Sequence, residues 1–471
     1  MTETGQGGRA ESRHPTVGAM EEIAFDPADP KAALRRLPQK AAVFSLYGAE
    51  AHAEPYIGRT PNLKARLERL LQPSAKHPRR LQLAGRVRRI VWRLTGSEFE
   101  SLLTQFFLLE EIYGAKALER MHLRAPAFVR YLGSNPYPRI VVTNRPSQRE
   151  AEWAYGPFAS RAAAERYVDE ALKLFLLRRC TDDLDPNPSH PGCVYSEMKM
   201  CLAPCYQGCT DERYGEEAAA VESFMATRGE SRLVILRTDR DQASANLEFE
   251  TAAAFHAQVQ RVESVRALAS ELVRPLSQLR AVILQGSANP DEVAIFLFEN
   301  GRLRGPAVFS TLGMRIQNEQ SGSTSLFAQP LTIEAVVEEQ GTREQGNEKA
   351  GNREQGSGNR DAPGTEIASS AEVGSAEGSG AGAARVKVAR GMLEGRMEAV
   401  LESLTEGTGA PSATVRQAHL ALLKRWYYRP EARRTGEIFF PDAEGRWPVK
   451  AILRGVDRVA AAGLKTPVPA G

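Results

Sequence analysis

A chain of 471 residues, 42% hydrophobic and 25% charged, has the composition of a globular protein with several domains. No apolar run approaches the ~18 residues that cross a bilayer. The first twenty residues are polar, without the apolar core of a secretion signal, so the expectation is a cytoplasmic protein with no membrane partner. The net charge of +3 excludes little, but its distribution matters. Residues 59–93 carry eleven Lys and Arg against one acid, Glu68, a local field that attracts phosphate unless it is merely a solvated helix face.

Residues 1–38 are punctuated by Gly, Glu and Pro and are expected to be disordered. Residues 39–140 read as a small α/β domain. It has strands at 41–46, from 55 to 58 and beyond, and at 88–94, a helix at 62–71, and a helix at 98–118 with Leu102, Leu103, Phe106, Leu109 and Tyr113 at helical spacing. A Cys-rich segment follows at 150–215, where Ser160 caps a predicted helix over 162–178 that leads into Cys180. All five cysteines lie between Cys180 and Cys209. A reducing cytoplasm argues against disulfides, and the clustering points to a soft metal or iron–sulfur site, with free thiols packed in a small core as the alternative.

Helices are predicted at 216–228 and 243–272, then a small β element within 280–335 that turns at Asn300-Gly301. Residues 336–385 form a low-complexity linker in which Arg-Glu-Gln-Gly recurs at 343–346 and 353–356. Residues 386–471 read as a helical basic region, with helices at 389–404 and 412–427. Between 416 and 434 there are six basic residues and one acid, Glu431, interleaved with Trp426, Tyr427 and Tyr428. That pattern suits either base stacking or the packed end of a helix.

Several motifs carry a resemblance. Ala42-Val43-Phe44, then Tyr56-Ile57-Gly58-Arg59 and Asn62-Leu63-Lys64-Ala65-Arg66-Leu67, resembles the GIY-YIG nuclease module. Tyr155-Gly156-Pro157-Phe158, the run from Leu174 to Cys180, Cys201-Leu202-Ala203-Pro204-Cys205, and Asn246-Leu247-Glu248-Phe249-Glu250 extend the likeness to the UvrC/Cho family. The resemblance implies an α/β fold, a UVR-like helical hairpin over 216–272 and a UvrB-type partner. Leu247, Phe249 and Phe255 are its candidate contacts. It also implies that Cys180, Cys193, Cys201 and Cys205 hold a [4Fe–4S] cluster.

The same resemblance assigns the nuclease site to Tyr56, Arg59, Arg66 and Gln105, and the basic run marks Lys64, Arg69, Arg79, Arg80 and Arg88 as candidate DNA contacts. In such a module a hard metal ion lowers the pKa of a water and neutralises the developing phosphorane. Two departures stand out. The first tyrosine of the family falls on Phe44, which has no hydroxyl, and the metal-binding glutamate falls on Gln105. Mg²⁺ requires anionic oxygen, and a carboxamide is a weak ligand. Three readings follow. The first is a DNA-binding excision-repair protein with an impaired GIY-YIG site. The second is a Cho-like Mg²⁺-dependent endonuclease that incises 3′ of a lesion. The third is a redox-responsive iron–sulfur protein that binds DNA.

Overall fold

The computed structural model describes residues 20–50, 53–72, 83–147, 149–181, 184–312, 379–405 and 411–465. The chain divides into two units, Met1–Met314 with Leu393–Gly471, and Arg315–Met392. The first unit carries three modules. It is mixed α/β, in agreement with the sequence expectation.

The first module runs β1 (Glu21–Ala24), α1 (Pro30–Arg35), β2 (Ala42–Gly48), β3 (Tyr56–Thr60), α2 (Leu63–Leu71), β4 (Val87–Leu94), α3 (Glu98–Tyr113) and α4 (Ala117–Arg120). Its antiparallel sheet has the order β1-β4-β2-β3. Helix α2 starts where Asn62 accepts the Ala65 amide at 3.0 Å. It buries Leu63, Leu67 and Leu71, four residues apart, against the sheet. Helix α3 starts at Ser97, which accepts the Glu100 amide, and stops at Gly114, whose φ of +55° ends the turn. Part of the N-terminal stretch expected to be disordered is ordered instead. Glu21–Ala24 pairs with β4 at the edge of the sheet, and Phe25, Leu34 and Leu37 are buried against it. Asp29 caps α1 ahead of Pro30, a start signal that the charged surroundings obscured.

The second module comprises β5 (Ala127–Tyr131), β6 (Ile140–Thr143), β7 (Ala154–Phe158), α5 (Arg161–Ala171), α6 (Val194–Glu197), α7 (Asp211–Ala226), α8 (Glu230–Ala245), α9 (Phe249–Ala267) and β8 (Arg274–Pro275). Its sheet order is β6-β5-β7-β8. Ser160 caps α5 as expected, but the helix ends at Ala171 rather than 178. Beyond it Phe175 and Leu177 are buried while Leu176 is exposed, an alternation that belongs to extended chain. The helix predicted over 243–272 is likewise broken. Leu247 takes φ +65°, and α8 and α9 fold back on each other around it.

The third module has β9 (Ala281–Gly286), β10 (Glu292–Glu299), β11 (Arg302–Ser310), α10 (Ser379–Thr405), α11 (Ala413–Tyr427), β12 (Glu437–Phe439) and α12 (Val449–Lys465). The turn at Asn300-Gly301 joins β10 to β11 with both residues at positive φ, as that dipeptide favours. The C-terminal region is not a separate helical domain, because β12 completes the sheet β11-β10-β9-β12. Leu393, Met397 and Leu401 of α10 and Ile452 and Val456 of α12 pack on that sheet. Helix α11 joins the modules. Its Leu422, Leu423 and Trp426 share one core with Phe99, Phe106 and Phe107 of α3 and Phe296 of β10. Residues 313–378, which include the end of the expected β element and most of the linker, lie outside the described residues.

Candidate nucleic-acid site

One cleft of about 300 Å³ gathers the candidate residues. It is lined by Phe44, Tyr56, Arg59, Arg66 and Gln105, together with Arg120, Met121 and Arg425. Each arrives for a local reason. Tyr56 and Arg59 stand on β3, which pairs with β2 so that Phe44 faces Gly58. A Cβ on Gly58 would lie 2.8 Å from the Phe44 ring, so the ring seats only because position 58 is glycine. The Phe44 and Tyr56 rings are 6.1 Å apart. Arg66 leaves α2 beside its buried leucine stripe, and Gln105 leaves α3 among buried Leu102, Phe106 and Leu109.

Sequence reasoning placed Tyr56, Arg59, Arg66 and Gln105 together, and they share this cleft. No aspartate or glutamate is among the described residues that line it. Two neighbouring acids, Glu98 and Glu54, are held by arginines. Glu98 binds Arg59 at 3.2 Å and Arg429 at 2.5 and 2.6 Å. The Arg429 hydrogen bond, with Arg59 behind it, holds the Glu98 carboxyl down at about 2. Glu54 binds Arg120 at 3.1 Å, and Arg120 also lies 3.6 Å over the Tyr113 ring. An adjoining cleft of about 480 Å³ shares Tyr56, Gln105 and Arg120 and adds Glu119 and His122 at its exposed wall.

Arg120 and Arg425 escaped the sequence reading. Arg120 sits on a turn of helix after α3 that shows no motif. Arg425 lies 359 residues after Arg66, and no local pattern couples the two. The signal that could have found Arg425 was the basic-aromatic run at 424–429, whose aromatic members turn out to be structural. Trp426 is buried against Phe99, and its indole N–H donates to the Thr435 carbonyl. Tyr428 donates to the Pro157 carbonyl at 2.8 Å. Burial together with the nearby charges of Arg59 and Arg429 lowers the pKa of Arg425, which marks a locally crowded positive field.

Of the other candidate DNA contacts, Lys64, Arg69 and Arg88 are not among the residues that line the cleft. Arg69 donates back to the Ala65 carbonyl, and Arg88 donates to the Gly85 and Val87 carbonyls. Lys64 is half-buried on α2. Arg79 and Arg80 fall outside the described residues.

The five cysteines fall in the segment between α5 and α7. Cys193 heads α6, where its amide donates to Ser196 Oγ at 2.9 Å. The Cys205 carbonyl accepts the Asn187 amide, which pins the Pro-rich loop. Burial pushes the Cys201 thiol up, a backbone hydrogen bond at Ala203 opposes it, and Cys193, Cys205 and Cys180 add smaller electrostatic contributions. Cys209 responds instead to burial, Asp211 and Arg213. Arg178, fully buried, donates to Cys180 Sγ at 3.5 Å and to the Tyr137 carbonyl at 3.0 Å. All five thiols are free, and among the described residues no three Cys, His, Asp or Glu side chains stand as a ready metal cage.

At the turn between α8 and α9, Leu247 and Phe249 are 72% and 65% exposed, whereas Phe255 is half-buried against the second core. The first two remain available to a partner, and Phe255 serves partly in folding. No helix among the described residues is long and apolar enough to cross a membrane.

Comparison with known proteins gives a consistent picture. The family profile "UvrC/Cho excinuclease, middle domain" matches residues 128–224, which span β5 to α7 and include all five cysteines. The UvrABC system protein C of Alcanivorax borkumensis is 29% identical over 50% of this chain and 39% of its own length. That of Ruminiclostridium cellulolyticum is 26% identical over 58% of this chain and 44% of its own length. The Pseudomonas protegens protein is 26% identical over 66% of this chain and 48% of its own. The chain therefore spans less than half the length of these curated relatives. No solved structure matches it.

Proposed function

Because the chain belongs to the UvrC/Cho family, we propose that it is a DNA-binding protein of nucleotide excision repair whose GIY-YIG-like site holds the phosphate backbone without cutting it. One observation carries this reading: Tyr56, Arg66, Gln105 and Arg425 converge on a cleft with no carboxylate among its described lining residues. Hydrolysis in such a site needs a hard cation, and a hard cation needs anionic oxygen. Here the field is set by guanidinium groups, which repel Mg²⁺ and attract phosphate. Arg59, Arg66, Arg120 and Arg425 would grip non-bridging oxygens, and Tyr56 and Gln105 would add neutral hydrogen bonds.

Two further parts of the proposal rest on other regions. The turn that exposes Leu247 and Phe249 would dock on a UvrB-type protein, since paired apolar side chains at a helical tip favour a partner. The donors Cys180, Cys193, Cys201 and Cys205 suit a [4Fe–4S] cluster by their chemistry: four free thiols in one loop-rich segment, with the Arg178 guanidinium against Cys180. A thiolate-bound cluster carries negative charge, which the buried Arg178 guanidinium would offset. Bound there, the cluster would supply rigidity to the segment between α5 and α7.

A second reading is favoured by the adjoining cleft. Glu119 and His122 share its wall with Tyr56 and Gln105. A displaced carboxylate there would make the chain a Mg²⁺-dependent endonuclease that incises 3′ of a lesion. Incubation of lesion-bearing duplex with the protein, a UvrB-type partner and Mg²⁺ separates the two. Retention of DNA with no new strand ends supports the first reading. Strand cleavage that disappears in Glu119→Gln supports the second.

A further inference from the structure

The charge of the cleft can be followed one step further, resting on the DNA-binding reading above. Of the four arginines that line it, two are balanced from outside, Arg59 by Glu98 and Arg120 by Glu54. Glu98 is shared with Arg429, so that trio keeps a positive excess. Neither Arg66 nor Arg425 forms an ion pair among the described residues, and Glu98 reaches Arg425 only through its longer-range field. They border an open volume of about 300 Å³ together with the Tyr56 ring and the Gln105 amide.

We propose that this cleft is a receptor for the terminal phosphomonoester of a nucleic-acid strand, held by Arg66 from α2 and Arg425 from α11. Two uncompensated guanidinium groups match a dianion. A phosphomonoester above its second pKa of about 6 carries nearly two charges and three equivalent acceptor oxygens, whereas an internal phosphodiester carries one charge and two free oxygens. Planar guanidinium forks grip such oxygens bidentately. On the apolar side of the cleft, the half-buried Ile57 and Met121 offer a surface to the terminal sugar. The site is composite. Arg66 belongs to the nuclease-like module, and Arg425 is delivered by a helix anchored in the core through Leu422, Leu423 and Trp426.

The test uses the full chain and a short single-stranded oligonucleotide in three forms, with a 5′-phosphate, with a 3′-phosphate, or with hydroxyls at both ends. Fluorescence anisotropy at one fixed salt concentration should show one phosphorylated form binding about tenfold tighter than the hydroxyl form, the scale of one charge-assisted hydrogen bond. The form preferred identifies which end is held. Arg66→Ala and Arg425→Ala should each bring that ratio close to one, and Arg425→Lys, which keeps charge but loses the fork, should give an intermediate ratio. Inorganic phosphate should displace the preferred phosphorylated form selectively. Equal affinity for all three forms, or a ratio unchanged in Arg425→Ala protein with a wild-type melting temperature, overturns the proposal. Equal affinity alongside retained binding of uncut duplex would reject the terminal-phosphate receptor alone and leave the DNA-binding reading standing.

Discussion

Glu98 and Arg429 face each other across 331 residues of sequence and form a bidentate ion pair, with Arg59 on the same carboxylate. The pair links the first turn of α3 to the end of α11, and so holds the C-terminal region against the wall of the cleft. Glu98 is held at about 2 against an ordinary value of 4.5. Its contribution is therefore present above the unfolded value and is lost as pH falls from about 4.5 through about 2. The Glu98 side chain is 47% exposed, so solvent screening limits the pair to on the order of 1 kcal/mol. Glu98→Gln should lower the melting temperature by a few degrees at pH 7. The difference from the unmodified protein should narrow steadily below pH 4.5. A difference that stays constant down to pH 3 would show that the pair does not couple the two regions.

The packing of Phe44 over Gly58 makes a prediction about stability. Gly58→Ala places a methyl group against a buried ring held by β2 and β4, and should cost about 1–3 kcal/mol. Chemical denaturation measures this directly. A loss below half a kcal/mol would mean that the ring moves freely and that the wall of the cleft is softer than described.

How much of this was legible in the sequence depends on the range of each interaction. Ser160 announced a helix start, and Asn62, Ser97 and Ser412 cap their helices in the same way, because a cap is a contact within three residues. The convergence of Tyr56, Arg66 and Gln105 was legible only through the family pattern, and the shared cleft supports that alignment. Arg120 and Arg425 were not legible, since their position depends on long-range packing of α4 and α11. Trp426 and Tyr428 left base stacking and packing both open, because an aromatic-basic run looks the same whether its rings face solvent or fill a core, and the packed alternative is the one found. The N-terminal strand was missed because its pairing with β4 spans 67 residues, as the Glu22–Arg89 contact shows. The early end of α5 was missed because buried Phe175 and Leu177 fit a helix or an extended strand equally well when read as sequence.

The exposed helical tip offers a test of the partner. Leu247→Asp with Phe249→Asp should abolish capture by a purified UvrB-type protein while leaving the melting temperature within about a degree, since both side chains are mostly solvated already. Pull-down with the single variant Phe255→Asp serves as contrast. That change should also destabilise the fold, because Phe255 packs on the second core. Undiminished capture by the double variant would place the docking surface elsewhere.

For the thiol centre, protein purified without oxygen should contain iron and acid-labile sulfide near four of each per chain. Cys201→Ser should lose both, and Cys209→Ser should keep them, because Cys209 is not among the four proposed ligands. Zinc in place of iron, or equal losses in the two variants, would contradict this assignment.

The central claim is that the arginine-lined cleft holds no catalytic metal. Manganese titration followed by electron paramagnetic resonance reads this most directly, with unmodified protein compared with Gln105→Glu, Glu119→Gln and Tyr56→Phe. The account predicts no Mn²⁺ signal sensitive to Tyr56 or Glu119 in the unmodified chain, and a new bound signal only when Gln105→Glu supplies the missing anionic oxygen. A bound Mn²⁺ signal in the unmodified protein that vanishes in Glu119→Gln or Tyr56→Phe would contradict it.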